Sequence, residues 1–220
     1  MLHRIFWAVS DRNWILDGAA VHVSMVGFDD GSETERSVDG IPVPTVNANL
    51  SGSVDITKAR KLTEHSEVCF MADTKGGAFD VSDETAIEWL SEPNPHLTPN
   101  SDVLFPWVNG RDVSQRSRNM WIIDFGVEMP VEDAAKYGVP FHHVDANVRP
   151  LREKNKRQSY REKWWIHVEP RPKIRDRLAK LPRFLTTISV GKHRLFVWMQ
   201  APTLPDHQVY AFVRSDDFAF

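Results

Sequence analysis

Between Arg149 and Arg194 the chain places 15 Lys/Arg against 4 Asp/Glu, a net of +11. A surface of that sign is what contact with a polyanion requires. The candidate phosphate-facing groups are Arg149, Arg152, Lys154, Lys156, Arg157, Arg161, Lys163, Arg171, Lys173, Arg175, Arg177, Lys192, His193 and Arg194. Lys154, Lys156 and Arg157 flank Asn155 in a stretch without an apolar residue, as a solvated basic loop would. Trp164-Trp165 sits among these cations. Such rings could stack on bases, or one could be core while the other covers an edge. Lys192-His193-Arg194 precedes the apolar run Leu195–Met199, so these side chains stand at a strand end, where an arginine could read guanine or merely cap the strand. Asn109 and Arg111 are further candidates on a loop, although Asn109-Gly110 is also a plain turn signal. The competing reading of the basic segment is a solvated face packed against acidic surroundings.

Other chemistry is thinly represented. Lys75-Gly76-Gly77 lacks the spacing of a phosphate loop and reads as a hairpin turn. No G-x-S-x-G elbow occurs. Cys69 reads as a core residue. His142-His143 near Asp145 could ligate a metal, but adjacent residues on a strand face opposite ways. His143, Asn155 and His167 follow the order and rough spacing of an HNH-like metal-dependent nuclease, yet His167 falls in a strand pattern and not on the helix such a centre needs. Asn94-Pro95 reads as a turn. We therefore expect no catalytic residue and no metal site.

These side chains need a scaffold, and the pattern supplies one of short elements. Residues 4–28 read as β structure, with Ala19–Phe28 apolar on both faces. Asp29-Asp30-Gly31 and Asp39-Gly40 mark turns. Asp55 is placed to cap a helix carrying Ile56, Ala59 and Leu62, and Ser82 to cap one running to Leu90. Pro130 opens a third helix, with Lys136 in its last turn and Gly138 after it. A fourth spans Lys173 to Leu181 on a stripe of Ile174, Leu178 and Leu181. Strands are expected at Val68–Ala72, Trp121–Phe125, Lys163–Val168, Leu195–Met199 and Val209–Val213, the last two joined as a hairpin. The expected class is α+β: mainly antiparallel short strands with several short helices, and no alternating βαβ series.

At 220 residues the chain can bury a core without disulfides, and its 26% charged residues are ordinary for a globular protein. Outside the basic segment there are 12 basic and 26 acidic residues, a net of −14. No apolar run suits a membrane span or a leader, and a single cysteine excludes an internal disulfide, so a cytoplasmic chain with no membrane partner is expected.

Several segments together carry a family resemblance. Trp7-Ala8-Val9-Ser10-Asp11-Arg12-Asn13-Trp14, followed by Asp17-Gly18 and Ala19–Phe28, resembles the close of the methyltransferase domain in MmeI-like (type IIL) restriction–modification enzymes and their N6-adenine DNA methyltransferase relatives. The target-recognition domain that follows is resembled by Asn100-Ser101-Asp102-Val103, Pro106-Trp107-Val108-Asn109-Gly110, Trp121–Gly126, Val148–Arg152, Trp164-Trp165 and Lys192–Trp198. The resemblance implies two parts: residues 1–47 as the tail of a catalytic domain, with the last strands of its sheet, and residues 48–220 as a recognition domain. It implies sequence-specific binding of double-stranded DNA, with a methyltransferase catalytic domain as partner. The family's glycine-rich S-adenosylmethionine loop and Asn-Pro-Pro-Tyr/Phe motif are absent from this sequence. The methyl donor is thus expected in a catalytic domain and not in this chain, which we expect to be non-catalytic by itself. The alternatives are the HNH-like nuclease and a protein-interaction fragment with a basic docking face.

Overall fold

A computed structural model describes residues 4–60, 62–191, 193 and 195–217. The chain divides into two compact units, Met1–Leu62 and Thr63–Phe220. The class is α+β, with three four-stranded, mostly antiparallel sheets and several short helices.

The first unit is built on β1 (Arg4–Leu16) and β2 (Ala19–Asp29), an antiparallel pair. Asp17 and Gly18 close it with φ of 49° and 85°. Two positive-φ residues give the turn whose twist matches a hairpin. β3 (Ser37–Val38) lies parallel to β1 and turns through Asp39-Gly40 into β4 (Ile41–Pro42). The Asp39 carboxylate accepts from the Ser10 backbone N–H at 2.8 Å and from its hydroxyl at 2.6 Å, pinning this turn onto β1. Ala8, Val38 and Val46 form a small core under Ile5, Val43 and Leu50. The unit runs past residue 47 because the Asn47 side chain holds a return loop, donating to Ser51 Oγ and to the Ser53 carbonyl. β2 alternates half-buried with exposed residues, so it has one inner face and not two.

The helix expected after Asp55 is only a 3₁₀ turn, Ile56–Lys58. The Asp55 carboxylate accepts from the Thr57 N–H at 3.0 Å, but Ala59 is exposed and Leu62 is 54% accessible. Without a buried stripe a short helix does not hold.

The second unit carries two sheets. One is ordered β10-β9-β12-β5, with β5 (Cys69–Met71), β9 (Arg183–Ile188), β10 (Phe196–Gln200) and β12 (Val209–Phe212). The expected hairpin of the last two strands is corrected: both pair with β9, which lies between them. The other sheet is ordered β11-β7-β8-β6, with β6 (Asp80–Val81), β7 (Leu104–Val108), β8 (Met120–Ile123) and β11 (Leu204–Pro205). Helix α1 (Asp83–Ser91) starts at Ser82, whose hydroxyl accepts from the Thr85 N–H, and buries Ala86 and Trp89. α2 (Gly110–Ser114) follows β7. Beyond Pro130 come α3 (Val131–Ala134), a 3₁₀ turn, and then α4 (Gly138–Asn147) and α5 (Arg149–Arg152). Gly138 does end the first helix, but its φ of 38° redirects the chain into another. His142 and His143 therefore lie on a helix and not on a strand. α6 (Gln158–Glu162) and α7 (Pro172–Leu178) complete the unit.

Residues 163–168 are not the expected strand. The Ile166 N–H donates to the Lys163 carbonyl, which folds residues 163–165 into a turn. Nor is Lys75-Gly76-Gly77 a hairpin. Gly76 has a φ of +65°, and a Cβ there would meet Val168 at 2.5 Å, so the segment is glycine because side chains crowd it. The main core gathers Phe79, Trp89, Trp107, Ile122, Ile123, Phe125 and Trp164, and a smaller one joins Ile174 and Leu178 of α7 to Phe184 and Ala211. Among the described residues no helix is long and apolar enough to cross a membrane.

Candidate nucleic-acid interface

The basic residues fall into three environments. The first is the interior. Arg152 is 3% exposed; it donates from Nε to the Gly76 carbonyl and from Nη2 to those of Lys75 and Ile166. Burial draws its guanidinium's proton affinity down, and no carboxylate offsets this. Arg175 is held between two buried carboxylates, Asp73 and Asp124, and its Nε donates to the Pro170 carbonyl. Neither can serve as the phosphate contact expected of it, because both guanidiniums are enclosed by the fold. His167 belongs to the same buried group: Nδ1 lies 3.0 Å from Asp73 Oδ2 and Nε2 lies 2.9 Å from the Ile123 carbonyl. Burial alone would raise the Asp73 pKa; hydrogen bonds and charge from His167 and Arg175 outweigh it and hold Asp73 below its ordinary value.

The second environment is pairing at the surface. Arg149 bonds Asp145 at 3.0 Å and Glu153 at 2.8 Å, one helical turn to either side, and stacks over Trp164. Arg171 pairs with Glu169. Arg177 pairs with Glu67 at 3.4 Å and lies over Phe70. These charges are partly neutralised, though exposed pairs of this kind exchange readily for other anions.

The third is open solvent. Lys154, Lys156, Arg157, Arg161 and Lys163 are exposed, with Glu162 the one acid between residues 154 and 163. α6 and the loop before it position them. Asn155 Oδ1 accepts from the Arg157 N–H at 3.0 Å, and Arg161 Nη1 donates to the carbonyls of Asn155 and Lys156. The loop is thereby closed on itself, and the two lysines extend outward from it. Arg157 lies over the Tyr160 ring and donates to its hydroxyl at 2.6 Å. Among the described residues none of these five groups pairs with a carboxylate. Lys173 and His193 are exposed as well. Lys192 and Arg194 lie outside the described residues.

Asn109 and Arg111 prove to be parts of a helix start. Asn109 caps α2, its Oδ1 accepting from the N–H groups of Arg111 and Asp112. Asp112 Oδ2 accepts the Asn109 N–H in return at 3.0 Å. Arg118 then clamps Asp112 through Nε and Nη2, at 2.9 and 2.8 Å. The sequence offered no sign of the Arg118 contact, nor of the buried Asp73 and Asp124. Arg111 remains exposed beside this cap, bonded to Gln115.

Trp164 is core, and Trp165 is half-buried with its indole N–H on the Met129 carbonyl at 2.8 Å, so neither ring is free to stack on a base. The three members of the nuclease-like pattern are each engaged elsewhere. His143 contacts the Ala78 carbonyl, Asn155 holds its own loop, and both nitrogens of His167 are taken inside the core. Among the described residues no three His, Cys, Asp or Glu side chains are grouped to hold a metal ion. The Cys69 thiol is pushed up by burial, away from nucleophilic chemistry.

No protein-family model matches the chain, and no curated protein sequence matches it. A solved structure does. The chain is similar in fold to the type IIL restriction–modification enzyme MmeI, determined in complex with DNA, with a TM-score of 0.70 at 13% sequence identity. The match covers 97% of this chain and 30% of that one, so the chain spans less than a third of that enzyme's length.

Proposed function

We propose that this chain is a DNA-recognition module of a restriction–modification or N6-adenine methyltransferase system, and that residues 154–163 grip the duplex backbone. The observation that carries the reading is the physical state of that segment. Five cations are exposed, unpaired with carboxylates among the described residues, and carried on α6 and on the preceding loop, which hydrogen bonds from Arg157 and Arg161 hold closed. An ordered array of free cations can replace condensed counterions on a phosphate backbone at little conformational cost. The fold likeness to an enzyme determined with DNA supports the same reading. Arg149, Arg171 and Arg177 join as a second rank, exchanging their surface carboxylates for phosphate, with Lys173 and His193 beside them. Base reading falls to exposed side chains near these, Arg111 among them.

In this proposal the first unit is the tail of a catalytic domain and the second is the recognition domain. Methyl-transfer chemistry belongs to the catalytic partner.

The test is duplex binding by fluorescence anisotropy across a salt series. The logarithm of affinity should fall linearly with that of salt, by about 0.9 per phosphate contacted. Lys154→Ala and Lys156→Ala should each reduce the slope by about one contact and weaken all sequences alike. Absence of binding at low salt, or a slope indifferent to both substitutions, would overturn the assignment.

A further inference from the structure

A cleft of about 300 Å³ opens beside α6 in the second unit. Val127, Val168, Pro170 and Pro172 give it an apolar wall, and Arg152, Lys163 and Glu128 are charged groups that line it. Arg152 is 3% exposed, yet its guanidinium bonds only to neutral carbonyls, through Nε and Nη2. Its third nitrogen, Nη1, has no hydrogen-bond partner in the protein. That atom is not sealed in the interior as the unpaired Arg171 Nε is; it belongs to the small accessible part of the side chain. The guanidinium lies 5.5 Å from the Tyr160 ring, which lines the same cleft. A guanidinium stays charged when buried. With only dipoles around it, much of its desolvation cost is left standing, and an unbonded N–H adds to that cost. An anion seated against Nη1 relieves both.

We propose that this cleft binds a small monocarboxylate with an apolar body, one carboxylate oxygen accepting from Arg152 Nη1 and the exposed Lys163 adding charge at the rim. With Nε and Nη2 committed to carbonyls, Arg152 has no free fork for a bidentate contact, so one oxygen meets one nitrogen. Glu128 opposes a second negative charge, which favours a monoanion over a phosphate dianion. The apolar wall takes the body of the ligand. The volume lies at the lower end of small-molecule sites and suits a single ring. At 3% exposure Arg152 is too recessed for a duplex backbone, so this site is separate from the grip on DNA, although Lys163 borders both.

Benzoate is the probe. It is titrated into the full chain without DNA, at low chloride, and followed by calorimetry and NMR. A ligand of this size should bind with a Kd between about 0.1 and 5 mM. Its ring protons should show intermolecular NOEs to the methyl groups of Val127 and Val168, and the Arg152 guanidinium signals should shift during the titration. Benzamide, the neutral isostere, should bind at least about tenfold more weakly, because the charge-assisted bond to Arg152 is lost. Phenylphosphonate, dianionic at mildly alkaline pH, should also bind more weakly than benzoate. Lys163 and Glu128 are exposed, so their substitution leaves the fold in place. Lys163→Gln should weaken benzoate by about threefold to tenfold, and Glu128→Gln should tighten it by a similar factor. The proposal is overturned if benzoate fails to saturate below about 20 mM, if benzamide binds as well or phenylphosphonate binds more tightly, if the NOEs reach other methyl groups alone, or if both substitutions leave the affinity unchanged. With no DNA in the experiment, its outcome is separate from that of the salt series.

Discussion

Arg152 carries the same charge as Lys156, and both lie in the segment whose composition points to phosphate, yet only Lys156 is exposed. Sequence registers charge but not the three carbonyls that surround Arg152. The two therefore separate cleanly by experiment. Arg152→Ala strands those carbonyls in the interior and should cost about 2–4 kcal/mol in urea unfolding, with no change in the salt slope of DNA binding among molecules still folded. Lys156→Ala should leave stability within about 0.5 kcal/mol and lower the slope. A second residue-scale expectation concerns Asp73. Its folded pKa lies below the ordinary 3.8, so its contribution is fully present above that value and is lost as pH falls through the lower folded value. Stability measured from neutral to strongly acidic pH should therefore decline on this limb, and Asp73→Asn should flatten the decline while lowering the plateau. An unchanged acid limb in the variant would place the titration elsewhere.

At the scale of elements, local signals were legible where they acted locally. Ser82 caps α1, Pro130 opens α3, and Ile174 and Leu178 form the buried stripe of α7 as their spacing predicts. The failures share a cause, which is that distant partners decided the outcome. β9 is absent from the pattern because Thr186 and Thr187 read as polar, yet both are buried at the centre of a sheet, with Thr186 Oγ1 donating to the Val197 carbonyl at 3.0 Å. Asn109-Gly110 reads as a turn, but Asp112 and Arg118 make it a helix start. The consequence is testable. Asn109→Ala removes the cap acceptor and should cost about 1 kcal/mol. If Asn109 were instead a base reader, the same substitution would leave stability alone and alter sequence preference, so thermal unfolding and binding selectivity together decide its role.

On the scale of the whole molecule, the α+β class and the split in charge could be read from composition and period, because both are sums over many residues. The buried group of Asp73, Asp124, His167 and Arg175 could not be, since its members come from four separate elements and connecting stretches up to 102 residues apart. That group lies wholly within Thr63–Phe220, as do the two larger cores and the exposed basic loop. The first unit has its own small core of Ala8, Val38 and Val46, and its hairpin exposes Trp14, Ile15 and Leu16 near the turn. A unit with its own core and closed hydrogen bonding should survive excision. Residues 63–220 expressed alone should thus unfold in one cooperative transition and keep the salt slope of the full chain, since the proposed phosphate contacts all lie within them. Loss of cooperativity in calorimetry would show that the second unit needs the first for its stability. Retained cooperativity with a smaller slope would show that the first unit supplies phosphate contacts of its own, through Arg4, Arg12 or Arg36.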